Sequence, residues 1–246
     1  MKLHGIFPPV TTPFNREGEM WKAKVQHNIE KWNLTGLAGY VVCGSTGESV
    51  MLTTEEKMQL FEWVAEYAAP EKLLIAGTGV ESVRETVALS NRAAAIGYKV
   101  AMVRTPHYYK NLINNGPAQM LYFRAVADQS KLPLIIYNWP QTTGVDIPAE
   151  AVAQLSEHPN IIAIKESSGN LEKVLQMIRE VKKGFQVLTG SAPTLAPTLA
   201  VGAWVPCWPS RMPLLTPPSL FGKLIARANR RPPWIGRIAS ATLHIW

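Results

Sequence analysis

The feature that most constrains this chain is an alternation. Seven short, nearly continuous apolar runs, at 5–12, 39–43, 73–77, 99–104, 132–138, 161–165 and 185–190, are separated by longer amphipathic stretches. A run with apolar residues at successive positions has no face to offer water, so it suits a strand covered on both sides of a parallel sheet better than a half-exposed hairpin. The intervening stretches predict helices at about 21–34, 54–69, 81–96, 116–129, 148–157, 170–182 and 192–201. Thr53 and Thr54 ahead of Glu56 and Lys57 offer a cap to the second of these, and Gly97 a stop to the third. Seven consecutive strand-helix units imply an α/β fold, either doubly wound or an eight-fold (β/α)8 barrel.

The polar residues favour the barrel. Thr11, Gly44-Ser45-Thr46-Gly47-Glu48, Thr105-Pro106, Tyr137-Asn138, Lys165-Glu166-Ser167 and Gly190-Ser191 all fall at the carboxyl ends of successive runs. A barrel gathers such residues from every strand at one rim, whereas an open sheet concentrates them at one switch point. No Gly-x-Gly-x-x-Gly follows the first run, which removes the usual dinucleotide signature.

Charge narrows the partners. The net charge is +7, yet all 18 acidic residues lie at or before Glu180, and residues 1–203 are almost balanced. The excess belongs to residues 204–246, with six bases and no acid. Without a folded basic face, nucleic acid is not an expected partner. No apolar stretch reaches the roughly 18 residues of a membrane span, and the start is too short and proline-rich for a signal peptide. The two cysteines, Cys43 and Cys207, form neither a disulfide framework nor a metal-ligand spacing. The expectation is a cytoplasmic chain with no metal and no cofactor.

Three rim segments carry candidate chemistry. Lys165 ends the run Ile161-Ile162-Ala163-Ile164, which places an amine at a barrel mouth above apolar walls. Desolvation there disfavours the charged form, and a free amine attacks a ketone to form a Schiff base. The competing reading is a rim lysine paired with Glu166 or with another carboxylate. Tyr137 ends the preceding run, where a phenol can pass a proton to and from an oxygen of the reacting substrate, or can simply cap the barrel layer. Gly44-Ser45-Thr46-Gly47-Glu48 offers backbone N–H groups and two hydroxyls to a carboxylate, or is a plain turn.

Taken together, Gly-Ser-Thr-Gly-Glu after the second run, Tyr-Asn-x-Pro after the fifth and Ile-Lys-Glu-Ser-Ser-Gly after the sixth keep one order and spacing. From Gly5 to Ala203, including Gly-Ile-Phe-Pro-Pro-Val-Thr-Thr-Pro-Phe at 5–14, the chain resembles the dihydrodipicolinate synthase and N-acetylneuraminate lyase family of class I pyruvate aldolases. The resemblance implies a TIM barrel that forms a lysine Schiff base with pyruvate-type 2-oxo acids and works as a homo-oligomer, a dimer or tetramer. It implies Lys165 as the Schiff-base lysine and Tyr137 as the proton relay. Ser45 would link Tyr137 to a further tyrosine, Tyr108 or alternatively Tyr109, lent to a neighbouring subunit. Gly44, Ser45, Thr46 and Gly47, with Gly190 and Ser191, would bind the substrate.

Within the family, synthases that use aspartate semialdehyde carry an arginine where this chain has Thr142, and a neutral residue does not replace a bidentate guanidinium. Gly190-Ser191-Ala192 looks more like the branch that cleaves 4-hydroxy-2-oxoglutarate to pyruvate and glyoxylate. The synthase, another sugar-acid aldolase, and a non-catalytic homologue that keeps only the pocket are the alternatives.

The resemblance stops at Ala203, which divides the chain into a domain at 1–203 and a tail at 204–246. The family's eighth strand is expected there, but residues 204–246 hold seven of the 19 prolines and four of the eight tryptophans, and proline is nearly excluded from a central strand. Read from the third base of each codon, Trp204-Val205 encodes Gly, Cys207-Trp208 Leu, and Trp208-Pro209 and Met212-Pro213 Ala, whatever the synonymous codons. That resembles the missing strand, so a frameshifted C-terminus is expected. Strand eight and the closing helices would then be missing or replaced by an aberrant tail, and the 246-residue form would have poor solubility and little activity.

Overall fold

A computed structural model describes residues 1–191 and 193–204. Six parallel strands form one sheet in sequential order: β1 (Gly39–Val42), β2 (Leu73–Gly77), β3 (Val100–Arg104), β4 (Leu134–Asn138), β5 (Ile161–Glu166) and β6 (Gln186–Thr189). The main connecting helices are α1 (Lys22–Asn33), α2 (Thr54–Tyr67), α3 (Val83–Ile96), α5 (Gly116–Gln129), α7 (Ala149–Ser156), α8 (Leu171–Glu180) and α9 (Leu195–Ala200), with short α4 (Lys110–Ile113) and α6 (Pro140–Thr143) at the rim.

Local chemistry sets the ends of these helices. Thr53 closes a capping box with Glu56 at the start of α2, and Gly97 ends α3 at a φ of 119°, a conformation that favours a residue without Cβ. Ser82, Asn115 and Asn170 cap α3, α5 and α8 in the same way, each side-chain oxygen accepting a backbone N–H.

The pleat divides each strand between two cores. Tyr40, Val42, Ala76, Ala101, Val103, Leu134, Ile136, Ile164 and Val187 face the helices. Val41, Ile75, Val100, Met102, Ile135, Tyr137, Ala163 and Leu188 face inward, with Leu3 and Phe7 from the amino-terminal segment. Both faces of the sheet are therefore covered, as the unbroken apolar runs require.

The expected first strand at 5–12 is not a strand in the structure. It meets β1 through a single parallel bridge, Pro9 to Val41, in which Val10 donates to Val41 and Val41 donates to Pro8. Pro8 and Pro9 have no N–H to give, so a continuous ladder cannot form there. At the other edge Trp204 bridges Leu188 in parallel, its N–H donating to Val187 and its carbonyl accepting from Thr189. The two edges meet. The Gln186 side chain on β6 accepts from the Leu3 N–H at 2.7 Å and donates to its carbonyl at 3.0 Å, and the His4 ring stands edge-on to Trp204. The remainder of the expected tail, 205–246, lies outside the described residues, as does Ala192.

Candidate active site

One row of side chains crosses the carboxyl end of the sheet. The register pairs Arg104 on β3 with Tyr137 on β4, Tyr137 with Lys165 on β5, and Lys165 with Leu188 on β6. Each lies two residues beyond an inward-facing Met102, Ile135, Ala163 or Gln186, so all four side chains belong to the inner face. Lys165 is only 8% exposed, and its Nζ stands 4.2 Å from the centre of the Tyr137 ring. Trp139 also stacks with that ring, at 6.2 Å between centroids. An ammonium or amine against an aromatic face, below the rim and above an apolar layer, is a setting in which a lysine can work as a nucleophile.

Glu166 is not on that face. The pleat turns it and Asn138 toward the helices, where Asn138 Nδ2 donates to Glu166 Oε2 and to Asp146 Oδ1, both at 2.8 Å. Lys173 on α8 reaches Glu166 at 3.4 Å and pairs with Asp146, and Ser168 N–H donates to Glu166 Oε1 at 2.6 Å. The rim lysine that holds Glu166 is thus Lys173. Sequence reading missed this cluster, since nothing in the spacing of 138, 146, 166 and 173 marks them as neighbours.

Gly190 makes room for the row. A Cβ there would stand 2.1 Å from Ser167 Oγ and 2.8 Å from Lys165 Cε, so any larger residue would push Lys165 out of place. Ser191 follows half-buried at the same rim.

The Gly44–Gly47 loop forms a single 3-10 turn over Ser45–Gly47, tied to the amino-terminal segment by Thr12 Oγ1 donating to the Gly47 carbonyl at 2.6 Å. Its own bonds use the N–H groups of Gly47, Glu48 and Ser49. Those of Ser45 and Thr46 lie outside these bonds among the described residues. Cys43 and Glu48, both at φ 56°, flank the loop as the two described non-glycine residues in the left-handed region, and such strain collects at sites that hold ligands. Burial pushes the Cys43 thiol up to about 12, which leaves it inert.

Gly44 and Ser45 line a small, half-open pocket together with Cys43, Ser49, Gly77, Gly79, Met102, Arg104 and Tyr137. Ser45 and Tyr137 thus share a cavity, although no hydrogen bond joins them. Tyr108 stands apart at 76% exposure, its ring against Tyr109 and its N–H donating to Glu81. Among the described residues no three His, Cys, Asp or Glu side chains converge as a metal site, and no helix is long and apolar enough to cross a membrane.

Arg104 was the residue that sequence reading passed over, although its parity with Met102 was legible. Its Nη1 contacts Glu81 Oε1 at 3.2 Å and His107 Nδ1. Burial opposes ionisation of Glu81, but the N–H groups of Tyr108 and His107 and the Arg104 guanidinium outweigh it and hold the carboxyl below its usual range. Burial, and then the same guanidinium, hold His107 below its usual value.

Residues 2–205 match the model of the dihydrodipicolinate synthetase family. A 4-hydroxy-tetrahydrodipicolinate synthase from Methanothrix thermoacetophila is 38% identical over 202 residues, which are 82% of this chain and 67% of that protein. Among solved structures, a dihydrodipicolinate synthase from Bacillus anthracis superposes with a TM-score of 0.79 at 31% identity, over 84% of this chain and 70% of that one. A prophage protein of the same family from E. coli K12, solved in complex with pyruvate, superposes with a TM-score of 0.78 at 31% identity, over 83% and 69%. The chain spans about two thirds of the length of its curated relatives. Its register row, its Gly-Ser-Thr-Gly-Glu loop and these matches converge: the chain belongs to the dihydrodipicolinate synthetase family of TIM-barrel, Schiff-base lyases.

Proposed function

We propose that this chain is a metal-independent lyase for pyruvate-type 2-oxo acids, and that its reaction is the cleavage of 4-hydroxy-2-oxoglutarate to pyruvate and glyoxylate. The observation that carries the reading is the Lys165 amine 4.2 Å from the Tyr137 ring, on adjacent strands in one inward-facing register. The Lys165 amine attacks C2 of the substrate, and loss of water gives the protonated Schiff base. The Tyr137 phenol, having given its proton to the departing hydroxyl of the carbinolamine, takes the C4 hydroxyl proton as a phenolate, the C3–C4 bond breaks, and its electron pair moves through C3 to the imine nitrogen. Glyoxylate leaves, C3 takes up a proton, and water releases pyruvate and the free lysine. Ser45 and Thr46, with Gly44 and Gly47, hold the carboxylate beside C2, and Gly190 and Ser191 border the chain of the substrate.

Thr142, neutral and exposed on α6, supports this branch over the synthase. The names of the curated relatives favour the other reading, 4-hydroxy-tetrahydrodipicolinate synthase, in which pyruvate condenses with aspartate semialdehyde. The exposure of Tyr108 fits a homo-oligomer in which that side chain serves a neighbouring subunit, in the cytoplasm. We also keep residues 204–246 as an aberrant, frameshifted tail that lowers activity; the nucleotide sequence around the Ala203 codon tests that directly.

For the reaction, borohydride reduction in the presence of pyruvate is expected to add a pyruvate-derived mass to Lys165. A full-frame version is then expected to release glyoxylate from 4-hydroxy-2-oxoglutarate. Adduct at another residue, or full cleavage by Lys165→Ala, would overturn the assignment. Condensation of pyruvate with aspartate semialdehyde as the faster reaction would favour the synthase.

A further inference from the structure

We infer that Arg104 selects 2-oxo acids that carry a second, distal carboxylate, an inference that rests on the proposed function and names the substrate class of the same site. Arg104 occupies the inward row beside Tyr137, two residues above the apolar Met102, where a membrane of hydrophobic side chains would otherwise continue into the mouth. It is the one charged side chain among the described residues that line the pocket with Ser45 and Tyr137. The backbone accommodates it: a Cβ on Gly79 would stand 2.4 Å from Arg104 N and 3.0 Å from its Cγ.

The head group is held on one side only. Its two polar contacts, to Glu81 and to His107, both run through Nη1. Nε and Nη2 make no hydrogen bond among the described residues, and three of the five N–H donors of the fork are therefore available in one plane. Glu81 itself is fixed by the N–H groups of His107 and Tyr108, so the guanidinium is oriented before any ligand arrives. A planar, pre-oriented, singly anchored guanidinium is suited to a bidentate carboxylate.

Position decides which carboxylate. Lys165 and Arg104 flank Tyr137 from the two neighbouring strands, so a 2-oxo acid joined to Lys165 at C2 extends past the phenol toward Arg104. The carboxylate next to C2 has the Ser45 and Thr46 N–H groups, and the far end of a five-carbon chain has Arg104. A monocarboxylic substrate would leave this cation in a partly enclosed pocket without an anion from the ligand, whereas a dicarboxylic one supplies it. Thr142 supplies no charge on the neighbouring loop.

The test compares two five-carbon probes that cannot be cleaved, 2-oxoglutarate and 2-oxopentanoate, which differ in a distal carboxylate against a methyl group. The half-saturating concentration for borohydride trapping on the full chain is measured for each, with pyruvate as control. The wild type is expected to prefer 2-oxoglutarate by about tenfold or more, Arg104→Met to bring the ratio within about twofold, and Arg104→Lys to fall between, because a point charge keeps attraction but loses the fork. The ratio cancels any general loss of site quality, and the lysine variant keeps the test valid if the methionine variant does not fold. No wild-type preference, or a preference that survives in both variants, overturns the inference while pyruvate trapping upholds the proposed function. If pyruvate does not trap at Lys165, the proposed function falls, and calorimetric binding of the same probes decides Arg104 by the same ratio.

Discussion

Two consecutive residues on β4 and two on β5 lie in opposite worlds. On the outer face, Asn138 and Glu166 are saturated: they bond to each other, and their remaining carboxylate and amide atoms are engaged by Asp146, Lys173 and the backbone N–H groups of Ile147 and Ser168. On the inner face, Tyr137 and Lys165 meet ring faces and a glycine, and Ser167 Oγ is buried with no hydrogen-bond partner among the described residues. A buried polar group whose bonds are complete holds the fold, because water or substrate can only compete with it at a cost. On the proposed function, the inner pair, packed against ring faces and a glycine, face the substrate instead. The difference separates architecture from chemistry across a single peptide bond.

Four substitutions sharpen or break that contrast. Lys165→Ala is expected to remove pyruvate trapping and lower turnover by more than about 10³-fold, since it deletes the attacking amine. Glu166→Ala is expected to act on the fold instead. It strips one partner from Lys173, whose side chain is 10% exposed, and should cost about 3 kcal/mol, read by chemical denaturation. If both variants lose activity and stability in parallel, the two faces are one unit and the contrast fails.

Gly190→Ala is a finer probe of the inner face. Its methyl would overlap Ser167 Oγ and crowd Lys165 Cε, and a displacement of about 1 Å is expected to lower turnover by about 10²-fold in steady-state assays, with the adduct still detectable. The smallest effect concerns pH at the rim. His107 sits below its usual 6.5 and Glu81 below its usual 4.5. In both cases the unfolded chain binds more protons in the interval below the usual value, so stability falls as pH drops through 6.5 and again below 4.5. Both groups are substantially exposed, so a shallow slope in melting temperature is expected. Glu81→Gln should flatten the lower part of that slope. A melting temperature that rises on acidification would contradict the sign.

Much of this was legible from residue order. Six of the seven apolar runs are strands, and the helix limits follow Thr53 and Gly97 because capping is local chemistry. Lys165 and Tyr137 stood out because each ends an apolar run, and strand ends of a parallel sheet share a rim. The segment at 5–12 was over-read, as its hydrophobicity outweighed the missing donors of Pro8 and Pro9. Lys173 and Asp146 were invisible, because their meeting depends on how α8 lies against the loop after α6. Arg104 was concealed by a run whose other members are apolar, although its place in the two-residue period pointed inward from the start.

The clamp between Leu3 and the Gln186 side chain has a dynamic consequence. An amide in a segment that belongs to no helix or strand ordinarily exchanges with deuterium on the timescale of open peptide, because nothing in the regular structure holds it. Here the Leu3 N–H is buried and bound to a side chain rooted in the last described strand, 183 residues away. Its exchange requires that the amino-terminal segment and the last described strand part, so this one amide reports the opening of that seam, and Gln186→Ala converts it from a slow reporter into a fast one.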